Sequence, residues 1–239
     1  MPVHQQFSLL IRLKNANQYQ RYLTGDFFAA PWTGGVLATS AGVTEDRVDV
    51  PPGAFDFFRA DADEPSLAPL QVARLAPRLL NSVYRHVFDK ALAFLYHTGH
   101  QKSWVLLDDA RSCVWSQFSD SDTPEGMSLR SDRMSWPLLA HVLSAAPSFK
   151  AFLASLDGDL YLKGLERLSS EKLYFIYYAL NYCETNDDRF LASLLEAGVE
   201  PPAWHIVNGA LRNFQTFADV FNCSVGSFMN PEQKCAWSF

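Results

Sequence analysis

The chain has no excess of positive charge, no long apolar run and no closely spaced cysteine pair. Its 239 residues carry 20 Lys and Arg against 26 Asp and Glu, a net charge of −6. The basic footprint that a phosphate-backbone binder needs is therefore missing, which excludes nucleic acid as a partner. The best basic stretch, Arg74 to Arg85, is interleaved with apolar residues at helical spacing and reads as the solvent side of a helix. No run of about 18 apolar residues occurs, which excludes a membrane span. Met1 to Lys14 shows no small-residue cleavage site after its apolar patch Phe7 to Ile11, so the sequence reads as carrying no secretion signal. Cys113, Cys183, Cys223 and Cys235 lie far apart, so zinc-ribbon spacing is absent. They fit either long-range disulfides or buried thiols, and composition favours thiols. No GxSxG elbow, P-loop or GxGxxG is present.

What is present is an ordinary globular balance: 48% hydrophobic, 19% charged and 14% aromatic residues. No linker or internal repeat divides the chain, so residues 1–239 read as one mainly α domain with a small β-sheet (α+β). Residues 1–66 are the turn- and strand-rich entry and residues 67–239 the mainly helical remainder. Pro31 to Gly35 and Pro51 to Gly53 punctuate the entry, and strands are expected only between Val36 and Val50, with alternation at Asp46 to Val50. From Leu67 to Tyr96 apolar residues recur at helical spacing, predicting an amphipathic helix with a break at Pro77. Leu106 to Phe118 predicts a second helix, and Ser119 to Arg133 an exposed loop. Trp136 to Leu156 predicts a third, with a break or a kink at Pro147. Further helices are expected after a Ser170 cap, from Asp187 to Gly198, and over Ala210 to Phe221, ahead of a loop-like tail.

Taken residue by residue, the chemistry is sparse. His97-x-x-His100 can place two imidazoles on a metal, but a polar loop between helices is the plainer reading. His86, on a mostly apolar helix, reads as a hydrogen-bonded, partly buried histidine. Asp108-Asp-Ala-Arg111 and Asn186-Asp-Asp188 read as acids at helix N-termini. Tyr174, Phe175, Tyr177 and Tyr178 read as core and rim packing.

The final third carries a resemblance. Gly164 to Cys183, Val207-Asn-Gly-Ala-Leu-Arg-Asn-Phe to Cys223, and Gly226-Ser-Phe-Met-Asn-Pro-Glu-Gln-Lys-Cys235 are similar, in order and spacing, to the C-terminal segments of the neprilysin and endothelin-converting-enzyme family. These are secreted or membrane-anchored zinc endopeptidases with a thermolysin-like catalytic domain and a helical N-terminal capping domain. Upstream, Tyr84-Arg-His-Val-Phe-Asp89 resembles the end of the family's His-Glu-x-x-His zinc helix, and the register continues to Gly99 and Trp104. It puts His86 on the second zinc histidine, Ser82 on the first and Val83 on the general-base glutamate. The third ligand falls at Arg130 and the aspartate behind it at Met134. The transition-state histidine falls on Glu200 and the substrate-binding arginine on Ile206. Val50-Pro-Pro-Gly53 resembles the end of a family strand, whereas the substrate-clamping motif expected near Ala38 to Ala41 is absent.

The resemblance thus implies a thermolysin-like fold without its capping half, and a site stripped of every functional residue but His86. The expected function is that of a pseudopeptidase, a module binding a peptide or protein with no cofactor where the family uses zinc. The alternative is an active zinc metalloendopeptidase. The resemblance also implies an extracellular location, a Cys113–Cys235 disulfide, unpaired Cys183 and Cys223, and an uncapped apolar face able to self-associate.

Overall fold

The computed structural model describes residues 41–43, 48–50, 67–98, 101–119, 132–184, 187–198 and 200–235. The chain separates into two compact units, Met1–Ala60 and Asp61–Phe239. In the first, β1 (Gly42–Val43) pairs antiparallel with β2 (Val48–Asp49), with Gly42 opposite Asp49 and Val43 opposite Val48. This small sheet lies where strands were expected. Ala38, Val50-Pro-Pro-Gly53 beyond Val50, Gly99 and Arg130 lie outside the described residues.

The second unit is helical. It comprises α1 (Ala68–Thr98), α2 (Gln101–Ser119), a 3-10 turn at Asp132–Met134, α3 (Ser135–Ala154), α4 (Ser170–Leu180), α5 (Asp188–Ala197), α6 (Ala203–Arg212) and α7 (Gln215–Phe221). The thirteen buried positions of α3 run almost all round it, the signature of a central helix rather than a surface one. It packs most extensively on α1, then on α6 and α2, while α4 also rests on α1. By length and composition α3 could cross a membrane, but 61% of its most apolar window is buried inside the unit.

The break expected at Pro77 is corrected by the structure, and at Pro147 the helix is not interrupted. Pro77 lies inside α1 and Pro147 inside α3, and both helices continue through them. A proline removes one N–H and crowds the preceding turn, at a cost of about 3 kcal/mol. Pro77 is itself among the fully buried side chains, and α3 buries Leu138, Leu139, Phe149 and Phe152, so packing outweighs that cost. Two smaller corrections concern helix ends. Ser169, not Ser170, caps α4, its side chain accepting from Lys172 N–H at 3.3 Å; Ser170 Oγ instead accepts from Leu160 N–H at 2.9 Å. The helix expected over Ala210 to Phe221 is two helices, since the chain bends at Asn213 and Phe214 between α6 and α7. Asp187 and Gly198 behave as expected, the first accepting from Phe190 N–H at 2.7 Å and the second closing α5 in the left-handed region at φ 63°.

The larger core cluster is aromatic. Phe149, Phe152, Tyr174, Phe175 and Tyr178 are buried together, with Phe214 and Phe217 against them. Phe149 and Phe175 stack at 5.4 Å between ring centroids, and Phe217 meets Phe175 edge-on at 5.2 Å. The Tyr174 hydroxyl is matched inside this cluster by Ser148 Oγ at 2.6 Å and the Ala145 carbonyl at 3.2 Å. The core reading of the Tyr174–Tyr178 run therefore holds.

A second cluster joins α1, α2 and α3 through Phe88, Val114, Phe118, Leu138 and Leu139, and it includes Cys235. Cys113 and Cys235 form a disulfide, their Cα atoms 5.8 Å apart; Cys183 and Cys223 are free. The tail is fastened beside that bond. Asn213 Oδ1 accepts from Cys235 N–H at 2.8 Å, and the Asn213 amide donates to Gln117 Oε1 at 2.6 Å. In the Met-Asn-Pro segment, Asn230 is buried and donates to the Cys223 carbonyl at 2.8 Å. Its own carbonyl accepts from Gly226 N–H at 2.8 Å. Gly209 is required by close approach: any side chain there would run into the Phe118 ring.

Candidate functional site

Successive turns of α1 carry Ser82 and His86, four residues apart and so on one face. Both are half-buried. The Ser82 hydroxyl donates to the carbonyl of Arg78 at 3.1 Å, a bond internal to the helix. Val83 follows with no polar atom on its side chain. His97 lies at the end of α1, and His100 is outside the described residues. Among the described residues no three His, Cys, Asp or Glu side chains come together in a metal-holding group.

Two more of the residues that the resemblance assigned to a site are core. Met134 is fully buried and packs with Leu191, Leu195, Trp115 and Trp204. Ile206 is buried on the inner face of α6. Apolar side chains closed in this way offer neither a carboxylate nor a cation to a cleft.

Glu200, just before α6, is the charged exception. Its Oε2 accepts from Arg85 Nη1 at 2.8 Å, and its Oε1 lies 3.1 Å from His141 Nε2. The other ring nitrogen of His141, Nδ1, is 3.1 Å from the Tyr182 hydroxyl, whose ring meets the imidazole edge-on at 5.4 Å. These partners assign the tautomer: Nε2–H donates to the carboxylate and Nδ1 accepts from the phenol. α1, α3, the end of α4 and the approach to α6 thus meet in one chain of polar contacts.

The titrations fit that assignment. Burial pushes the His141 imidazole below its usual range, and the nearby Arg85 cation adds to this. Together they outweigh the hydrogen bond and charge of Glu200, which act the other way. Burial alone would raise Glu200, but the hydrogen bond and charge from His141, together with Arg85, hold its carboxyl below the ordinary value. Burial also raises the Tyr182 phenol. At neutral pH the network is an ionised carboxylate between a guanidinium and a neutral imidazole.

Arg85, His141 and Tyr182 were not singled out from the sequence as site residues. The only hint was Glu200 itself, a charge at a position read as vacated; its partners lie 115 and 59 residues away. Arg85 belongs to the stretch read as the solvent side of a helix, and the structure corrects this: Arg74, Arg78 and Arg85 are all half-buried, and burial lowers Arg78. Asp108 is likewise not at a helix N-terminus but inside α2, where its carboxylate takes Arg111 Nε at 2.8 Å and Nη2 at 2.7 Å.

A model of peptidase family M13 matches residues 84–237. Membrane metallo-endopeptidase-like 1 of Homo sapiens is 33% identical over 151 residues, 63% of this chain and 17% of that protein. Neprilysin of Mus musculus is 35% identical over 88 residues, 37% of this chain and 12% of its own length. Neprilysin-21 of Caenorhabditis elegans is 30% identical over 96 residues, 39% of this chain and 12% of its own length. The chain thus spans 17% or less of the length of these relatives. The match begins within α1 and runs to the tail, taking in the disulfide, the Asn213 contacts and the buried Asn230, and on that extent the chain belongs to peptidase family M13.

Proposed function

We propose that this domain is a non-catalytic member of its family, working as a binding module for a peptide or protein rather than as a hydrolase. The observation that carries the reading is Glu200. At the position that the resemblance gives to the transition-state histidine stands a carboxylate engaged by Arg85 and His141. A negative charge there opposes the developing oxyanion instead of stabilising it.

The donor set points the same way. A catalytic zinc takes three protein ligands and one water, and the described residues offer His86 beside a helix-bonded Ser82 and Val83. That set does not fit the metal. With no carboxylate at Val83, nothing at that position takes a proton from a water.

Side chains on α1 and α2 supply a surface for a partner. Val87, Phe94, Trp104, Val105 and Leu106 are exposed apolar residues on these two helices, a face suited to self-association or to a protein partner. The disulfide supports an oxidising, extracellular setting.

The test is metal content and turnover of the same purified chain. Less than a tenth of a zinc per chain, with no chelator-sensitive cleavage of a peptide substrate, supports the reading. About one zinc per chain together with chelator-sensitive hydrolysis overturns it in favour of an active zinc metalloendopeptidase.

A further inference from the structure

A cavity of about 130 Å³ opens between α2, α6 and the tail, away from the network at Glu200. Phe118, Trp204, His205 and Phe228 give it apolar walls, and Gln117, Asn208 and Arg212 its polar groups. Those walls carry amides, an imidazole and a guanidinium, but no carboxylate. Its volume is close to the ~150 Å³ of an engineered cavity that accepts benzene.

Arg212 is the unusual member. Its Nη1 donates to the Gln117 carbonyl at 3.3 Å, and its guanidinium stacks on Phe228 at 4.8 Å from the ring centroid. Its Nε is buried without an acceptor. Among the described residues no carboxylate pairs with it, although a guanidinium is built for bidentate carboxylate contact. Lys234 adds a second cation nearby, its ammonium donating to the Arg212 carbonyl at 2.7 Å. Asp219 acts on Lys234 but does not line the cavity. Burial weakens the hold of Arg212 on its proton, the mark of a cation that water and protein acceptors together under-serve. His205 is driven to about 4 by burial, so it stays neutral at pH 7 and does not compete for an anion.

We propose that this cavity binds a small apolar carboxylate, its hydrocarbon part against Phe118, Trp204 and Phe228 and its carboxylate on the Arg212 guanidinium. Neither the family's cleft positions nor the Glu200 network takes part, so the site stands or falls independently of the proposed loss of catalysis. The same chemistry could come from a free acid or from the C-terminal carboxylate of a peptide.

Calorimetric titration of the unmodified chain with benzoate and with benzamide, its neutral isostere, is the test. Benzoate is expected to bind at least tenfold more tightly, and Arg212→Gln to remove that preference. Asn208→Leu, one turn before Arg212 on α6, narrows the cavity while keeping the cation, and is expected to weaken both ligands. N-acetyl-leucine in place of benzoate distinguishes the sources: whichever acid binds more tightly names the kind of molecule the site takes. Equal affinity for benzoate and benzamide, or no heat from any acid up to tens of millimolar, overturns the proposal. So does an acid preference that survives Arg212→Gln in a folded variant.

Discussion

The two sides of α3 are held by different physics. Towards α4 and α7, Phe149 and Phe152 enter an aromatic cluster in which the Ser148 and Tyr174 hydroxyls are matched to each other. Towards α1 and the approach to α6, His141 enters a string of charge and hydrogen bonds through Glu200 to Arg85. The aromatic side buries large area and tolerates no gap. The polar side is held by a few directional contacts between separate elements. Core stability scales with buried area, whereas a site depends on individual atoms, so the two sides can change independently.

The largest expected effect comes from cutting the aromatic side. Phe175→Ala should cost about 3–5 kcal/mol, as large core deletions do, read as a shift in the urea midpoint at unchanged slope. Replacing Cys113 and Cys235 by serine together should cost about 2–5 kcal/mol. Scanning calorimetry with and without reductant checks this, since reductant should lower the melting temperature of the unmodified chain alone.

Acidification sharpens the contrast next. His141 and His205 both have folded values below the ordinary histidine range, so the unfolded chain takes up their protons first. Their stability contribution is present above the unfolded value near 6.5 and is lost as pH falls, for His205 down to about 4. Glu200, also depressed, adds a loss below its ordinary range. Urea midpoints should therefore fall from pH 6.5 towards 4, and His205→Phe should flatten that slope. Arg85→Ala is the smallest effect: both partners of its ion pair are at least a third exposed, so under 1 kcal/mol is expected. A loss of several kcal/mol in Arg85→Ala would mean that the polar side carries as much of the fold as the aromatic one.

Helix identity was legible where the apolar spacing was long and regular, as along α1 and α3, and where a cap residue stood at the right place, as Asp187 and Gly198 do. Pro77 misled because a local rule was read without the tertiary packing that overrides it. The bend at Asn213 was invisible for a similar reason, since its amide is held by Gln117 of α2, 96 residues away. Met134 and Ile206, which the resemblance assigned to a site, are buried core, and a motif register carries no information about burial. That Glu200 would find Arg85 and His141 could not be read, because no local spacing encodes a contact between three separate elements.

The bond between Cys113 and Cys235 also fixes how the chain responds to being cut or pulled. It spans 122 residues of sequence, enclosing α3 to α7 in one covalent loop. A protease that nicks any connection within that loop leaves two pieces that remain one molecule on a non-reducing gel. Tension applied between the two cysteines is borne by the sulfur bridge rather than by the intervening helices, so α3 and its aromatic neighbours are shielded from the load.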